Sequence, residues 1–238
     1  MKIAVIEHRL QGDALADARV LAEESRSASE AGAEAVVLPV AIPIDETAAQ
    51  EEYARLVSGL PGARLLPRIA SGVTSQAFPV TDQIPVIGER LGKVALLHGD
   101  ACINATVLKG LAVAKPSVLV MSPASENDLQ AEAVLELAIG LSESVAPLVV
   151  VVDPVGAEAG EAGHGASAIV LLGEVLAEAL TDEGDILYAE VPEPLPYPDP
   201  PEPVPEVPTI LAQRLAHHEG RKLDLGYLAD LSDGPGGR

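Results

Sequence analysis

Aromatic side chains are nearly missing from this chain. Its 238 residues hold five of them, Tyr53, Phe78, Tyr188, Tyr197 and Tyr227, and no tryptophan. A surface so poor in rings offers little for bases to stack on, which argues against single-strand nucleic-acid binding. Basic residues are scarce too: 15 Lys and Arg stand against 36 Asp and Glu, a net charge of −21. Such a surface repels a phosphate backbone and an anionic leaflet, so neither nucleic acid nor membrane is expected as a partner. Cysteine is reduced to Cys102, which excludes an internal disulfide. Long apolar runs are absent, and Val145–Val152 is far too short to span a bilayer. Met1–His8 turns charged before a signal-peptide apolar region can form. A cytoplasmic protein is the expectation by elimination.

What is present is aliphatic. Hydrophobic residues make up 48% of the chain, so Val, Leu, Ile and Ala must build the core. The length fits one large α/β domain or two small ones. Lys2–Glu7 reads as a strand. Asp13 is a good N-cap for a helix over Ala14–Ala31, whose apolar positions 14, 18, 21, 22, 28 and 31 recur at helical spacing. Gly32 ends that helix, and Ala35–Leu38 is a second buried strand, giving a β-α-β opening. Thr47–Ser58 reads as helical. Ala63–Glu89 carries Pro67, Pro79 and Pro85 and gives no clear pattern beyond short extended pieces at Leu65–Leu66 and Pro85–Ile87.

The pattern sharpens after Gly92. A strand over Lys93–Leu97 is followed by a turn at 98–101 and a helix over Ile103–Ala114. Further strands are predicted at Ser117–Met121, Leu148–Val152, Ser167–Leu171, Glu174–Leu180 and Asp185–Glu190. A helix capped by Asn127 or Asp128 runs to about Ser144. Residues 192–208 contain nine prolines. Such a segment cannot donate to a sheet ladder and reads as an extended, polyproline-like arm on a neighbouring surface or in solvent. A short helix at Thr209–His218 follows, and the Gly-rich end Ser232–Arg238 is expected to be disordered. Two units result, a domain over 1–191 and an arm with its tail over 192–238.

These segments resemble the nitrilase, or carbon–nitrogen hydrolase, superfamily. The opening strand, long helix and Gly32–Pro39 (Gly-Ala-Glu-Ala-Val-Val-Leu-Pro) are similar to that family's start. Gly92–Asp100 resembles the strand that ends in its Cys-Tyr-Asp nucleophile motif. Leu129–Glu143 with Ala146–Gly156, and Gly165–Ile169 with Gly173–Ala177, are similar to its later helix, strand and turn segments. The resemblance covers 1–40 and 92–191. It implies a nitrilase-like α-β-β-α sandwich, here with a Pro-rich C-terminal arm, that pairs into homodimers.

The family works with a Glu base, a Lys and a Cys nucleophile: a thiolate attacks an amide or nitrile carbon, Glu moves the proton, and Lys stabilises the developing charge. Carried over residue by residue, that set is not matched. The Glu position is Val40, the Cys position is His98, and Ala41–Gly92 contains no lysine; Arg55, Arg64, Arg68 and Arg90 are its only cations. Only 57 residues (41–97) separate Val40 from His98, a short interval for the family. Asp100 matches the motif's Asp, and Asp153 stands where an Asn is expected. The resemblance therefore implies a degenerate triad and a pseudoenzyme that binds a small amide or carboxylate ligand, or a partner. The candidate ligand-binding residues are His98, Asp100, Cys102, Ser122 and Asp153. One rival is an amidase using Cys102, activated by His98, with Asp100 as a further substitute. Another is a structural subunit that dimerises with an active paralogue.

Blander readings stand beside these. Cys102 can be a small apolar residue at the start of a helix, and His98 can fill the strand end and hydrogen-bond locally. His98, Asp100, Cys102 and His164 are ligand types without a familiar metal spacing, so no metal and no cofactor is expected. Gly156–Gly165 is Gly-rich, but Glu158 and Glu161 would repel phosphate and the spacing matches no phosphate loop. His217-His218 reads as a solvated pair.

Overall fold

The computed structural model describes residues 1–39, 42–43, 45–65, 90–156, 165–179, 184–197 and 202–220, together with the backbone course of 75–81. The expectations for Leu66, 85–87, Val40, Arg68, His164, residues 157–164 and the 232–238 end lie outside these residues.

Two sheets lie face to face, with helices outside. The first has four strands in the order β10-β1-β2-β3. It is formed by β1 (Lys2–Glu7), β2 (Ala35–Val37), β3 (Ala63–Leu65) and β10 (Asp185–Glu190). β1, β2 and β3 run parallel, and β10 pairs antiparallel with β1. The second sheet has six strands in the order β4-β5-β6-β7-β8-β9. They are β4 (Ser75–Thr81), β5 (Val94–Gly99), β6 (Val118–Ser122), β7 (Leu148–Val151), β8 (Ala168–Leu171) and β9 (Glu174–Glu178). Its central strands β5, β6 and β7 are parallel. The helices are α1 (Ala14–Glu30), α2 (Thr47–Val57), α3 (Ala105–Ala114), α4 (Asp128–Ser144) and α5 (Thr209–His218).

Strand alternation sorts the aliphatic residues into three apolar layers. Ile3, Val5, Val37, Val94, Val120 and Val150 meet between the sheets. Ala4, Ile6, Val36 and Leu38 face outward to Leu21, Ala22 and Tyr53 of α1 and α2. Ala95, Leu97, Leu119, Met121 and Val149 face outward on the other side, to Leu108 of α3 and Leu137 and Leu141 of α4. This is the α-β-β-α sandwich expected from the sequence. Among the described residues no helix is long and apolar enough to cross a membrane.

Side chains start the helices as predicted at two places. Asp13 accepts from the N–H groups of Leu15 (2.8 Å) and Ala16 (3.3 Å), and Asn127 accepts from Gln130 N–H at 3.0 Å. A third start differs. The chain leaves β5 through Gly99, whose φ of 57° is costly for any residue with a Cβ. It then makes a 3₁₀ turn, Asp100–Ile103, and only then does Asn104 cap α3.

The described parts of the proline-rich segment, 192–197 and 202–208, form neither helix nor strand and lie against this chain. The Tyr197 hydroxyl donates to Lys115 O at 3.0 Å. Glu202 N–H donates to Glu143 O at 3.1 Å. Pro205 packs so closely on Gly140 that a Cβ there would lie 3.0 Å from the ring. The segment thus crosses α4 from its C-terminal end and delivers α5 to the far end.

Candidate functional site

The parallel strands β1, β2, β5, β6 and β7 all end at the same edge of the sandwich, where ligand crevices form in α/β folds. On β5, Val94 and Leu96 belong to the layer between the sheets. Alternation puts His98 on that same face. Its partner in register on β6 is Ser122, which likewise follows the inward-facing Val118 and Val120. His98 and Ser122 are therefore neighbours on adjacent strands at the inner mouth of the sandwich.

Cys102 goes the other way. The glycine turn and the 3₁₀ turn carry it to the outer layer, fully buried among Leu97, Leu108, Met121 and Leu137. Burial pushes its thiol well above the usual range, outweighing Ser122 N–H and the Arg214 charge, which pull it down. The extended His98-x-Asp100-x-Cys102 alignment does not form, and the thiol and the imidazole belong to different layers. Asp100, half-buried in the turn, faces α5. Its Oδ1 lies 3.3 Å from Arg214 Nη2, and its Oδ2 lies 2.9 Å from His218 Nδ1. His218 Nε2 also lies 3.1 Å from Glu126 Oε1, so this ring is bridged by two acids instead of being simply solvated.

Asp153 is fully buried just beyond β7. Its carboxylate accepts from Ala124 N–H (3.1 Å) and Ser125 N–H (3.0 Å), pinning the loop after β6. Its own N–H and C=O are both satisfied by the Ser167 hydroxyl, at 3.1 and 3.2 Å. Burial pushes this carboxyl up to about 7, against the pull of the Ser125 and Ala124 donors and the Arg214 charge.

Two further buried groups stand at this edge, Glu7 and His8. Glu7 ends β1 facing between the sheets and accepts from Ser167 N–H at 3.0 Å. Burial raises its carboxyl despite the Ser167 contacts. Gly165, at φ 72°, lies against it, and a Cβ there would come within 2.9 Å of Glu7 Oε1. The next residue, His8, points to the helix side. Its Nε2 lies 2.8 Å from Asp17 Oδ1 and its Nδ1 3.1 Å from Glu24 Oε2. Burial alone would lower this imidazole, but the two carboxylates raise it to about 9. The detectable signal was the pair of acids at 17 and 24, seven residues apart on one face of a helix otherwise lined by Ala18, Leu21 and Ala28.

The arginines between positions 40 and 98 that the structure describes are occupied elsewhere, Arg55 donating to Glu52 on α2 at 2.9 Å. Arg64 donates to Ser29 Oγ at 2.9 Å and to the carbonyls of Leu60, Pro61 and Gly62, at the start of β3. Arg90 pairs with Glu34 and Glu193, beside the N-terminal ends of β1 and β2. Both lie at the edge opposite His98. Among the described residues, no group of three or more His, Cys, Asp or Glu could hold a metal ion. A shallow cleft between α1 and α2, lined by Arg19, Arg26, Glu23 and Glu52, lies away from the strand ends.

No family model and no curated protein matches the sequence. Solved structures do match the fold. An amidase from Nesterenkonia sp. aligns with a TM-score of 0.61 at 16% identity, covering 82% of this chain and 91% of that one. A mutant of the Nesterenkonia AN1 amidase, assigned to the nitrilase superfamily, aligns at 0.61 and 16%, covering 81% and 90%. A cysteine-to-alanine mutant of that enzyme in complex with butyramide aligns at 0.61 and 15%, covering 81% and 91%. With two sheets, outer helices and a shared strand-end edge, this chain has the fold of the nitrilase-superfamily amidases.

Proposed function

We propose that this chain is a nitrilase-superfamily homologue with a degenerate triad, which binds a small amide or carboxylate ligand, or a partner, without hydrolysing carbon–nitrogen bonds through a thiol. The observation that carries this reading is the fate of the one thiol. Cys102 is fully buried in an apolar layer with its thiol held protonated, while the strand end itself bears His98. A nucleophile must be ionised and must reach its substrate, and Cys102 meets neither condition. Lysine is missing from 41–92 as well, so the usual cation for the developing charge has no counterpart there. In a catalytic unit the loss of one member costs orders of magnitude.

The reading takes His98 and Ser122 as the residues nearest a ligand, with Asp100 and Asp153 holding the loops around them. It takes 1–191 as the working domain and 192–238 as an arm and tail, and the protein as a cytoplasmic homodimer. A panel of small amides, nitriles and N-carbamoyl compounds, assayed for ammonia release with wild type and Cys102→Ala, tests it. The expected outcome is no release from either protein, with thermal stabilisation by one of the amides or carboxylates. Release by the wild type that disappears in Cys102→Ala would establish the amidase alternative instead.

A further inference from the structure

We propose that α5 is a strap, carried along α4 by the proline-rich segment, and that Arg214 is the positioning residue with which it closes the two strand-end loops over Cys102. Arg214 lies on the buried face of α5, its side chain 3% exposed. Its guanidinium reaches three separate elements. Nη2 donates to Pro123 O, just past β6, at 2.6 Å and lies 3.3 Å from Asp100 Oδ1 in the turn after β5. Nη1 lies 3.3 Å from Gln130 Oε1 in the first turn of α4. His218, one turn further along α5, adds the bridge from Asp100 to Glu126. The two loops that leave β5 and β6 have Arg214 as their shared partner.

The apolar side of the strap supports the same role. Leu211 is fully buried, and Val204, Val207, Ile210 and Leu215 pack against the layer that contains Cys102. Yet α5 has only ten residues, and an isolated helix of that length is marginal in water. Its order therefore depends on docking, which makes it a candidate for opening as a unit while the sheets stay folded. Opening would free the turn that follows His98 and the loop that follows Ser122, and would admit solvent to the thiol. This inference holds whether or not the site turns over a substrate.

Cys102 reports on the strap. The full-length chain is labelled with a thiol reagent under native conditions, and each variant's global stability is measured separately by urea unfolding. Arg214→Gln is expected to raise the labelling rate about tenfold or more, since opening then no longer breaks the charge-assisted hydrogen bonds of the guanidinium. That rise should exceed what its global unfolding accounts for. Asp17→Asn, on the opposite layer, serves as the control and should raise labelling only in proportion to global unfolding. If Arg214→Gln labels only in that proportion, the strap is overturned. Should Arg214→Gln fail to fold, His218→Gln, with a ring 37% exposed, decides: a rise of about threefold supports the strap, and an unchanged rate overturns it.

Discussion

His8 and Cys102 are both fully buried at the ends of strands, and burial penalises the charged form of each, yet they end in opposite states. His8 stays protonated, raised to about 9. Cys102 stays a neutral thiol. The difference lies in the partners. His8 has a carboxylate on each ring nitrogen, at 2.8 and 3.1 Å, and two charge-assisted hydrogen bonds outweigh desolvation. Cys102 has a backbone N–H and a distant guanidinium already shared among other acceptors, and desolvation wins. Asp153 falls between them: two backbone donors and the Arg214 charge limit its rise to about 7. A buried nucleophile becomes reactive only when the fold supplies a partner for its charged form, and here the fold supplies that partner to the histidine on the helix side.

The contrast can be broken by mutation. His8→Ala should destabilise the protein by about 3–5 kcal/mol in urea unfolding, because it leaves the nearly buried Asp17 carboxylate with the Gln11 N–H but without its cationic partner. A loss under 1 kcal/mol would mean that the pair is not the stabilising unit described. The second test is pH. The folded pKa of His8 lies above the unfolded value of 6.5, so its contribution is fully present below pH 6.5. It is lost as pH rises through about 9. The expected decrease across that window is about 3 kcal/mol, and His8→Gln should lack this step. At the small end, Cys102→Ala should cost only about 1 kcal/mol, the transfer and cavity cost of one buried atom. A loss as large as that of His8→Ala would reveal a charged thiol.

The fold was legible where short-range pattern decides it. Asp13 before an apolar 3.6-residue rhythm and two aliphatic runs around it are enough for β1, α1 and β2. Val94–Leu97 entering Gly99 marks the strand end at once. The chain from 75 to 81 was not legible because Pro79 argues against a strand, yet β4 is an edge of its sheet, where a residue without an N–H is tolerated. The helix expected from Ile103 begins at Ala105, although Cys102 and Ile103 continue its apolar run. Their burial comes instead from the 3₁₀ turn, and Asn104 is the true cap. Arg214 was beyond reach for a different reason. Its contact with Asp100 spans 114 residues, and no local periodicity encodes which buried loop a C-terminal helix meets.

The site was legible as a position more than as a chemistry. His98 was placed correctly at the strand end, but alternation through Asp100 and Cys102 suggested one shared face. The positive φ of Gly99 removes it and sends the thiol to the other layer.

The most direct test of an unreactive thiol uses acrylamide, a reagent that adds to the active-site cysteine in a glutamate-to-glutamine mutant of the Nesterenkonia sp. AN1 amidase. The native full-length chain is incubated with acrylamide near neutral pH and its intact mass is recorded. A second sample is treated after unfolding in urea. The account predicts an unmodified mass for the native chain and one acrylamide adduct for the unfolded one. A stoichiometric adduct on Cys102 in the native chain, formed as fast as in the unfolded chain, would contradict it.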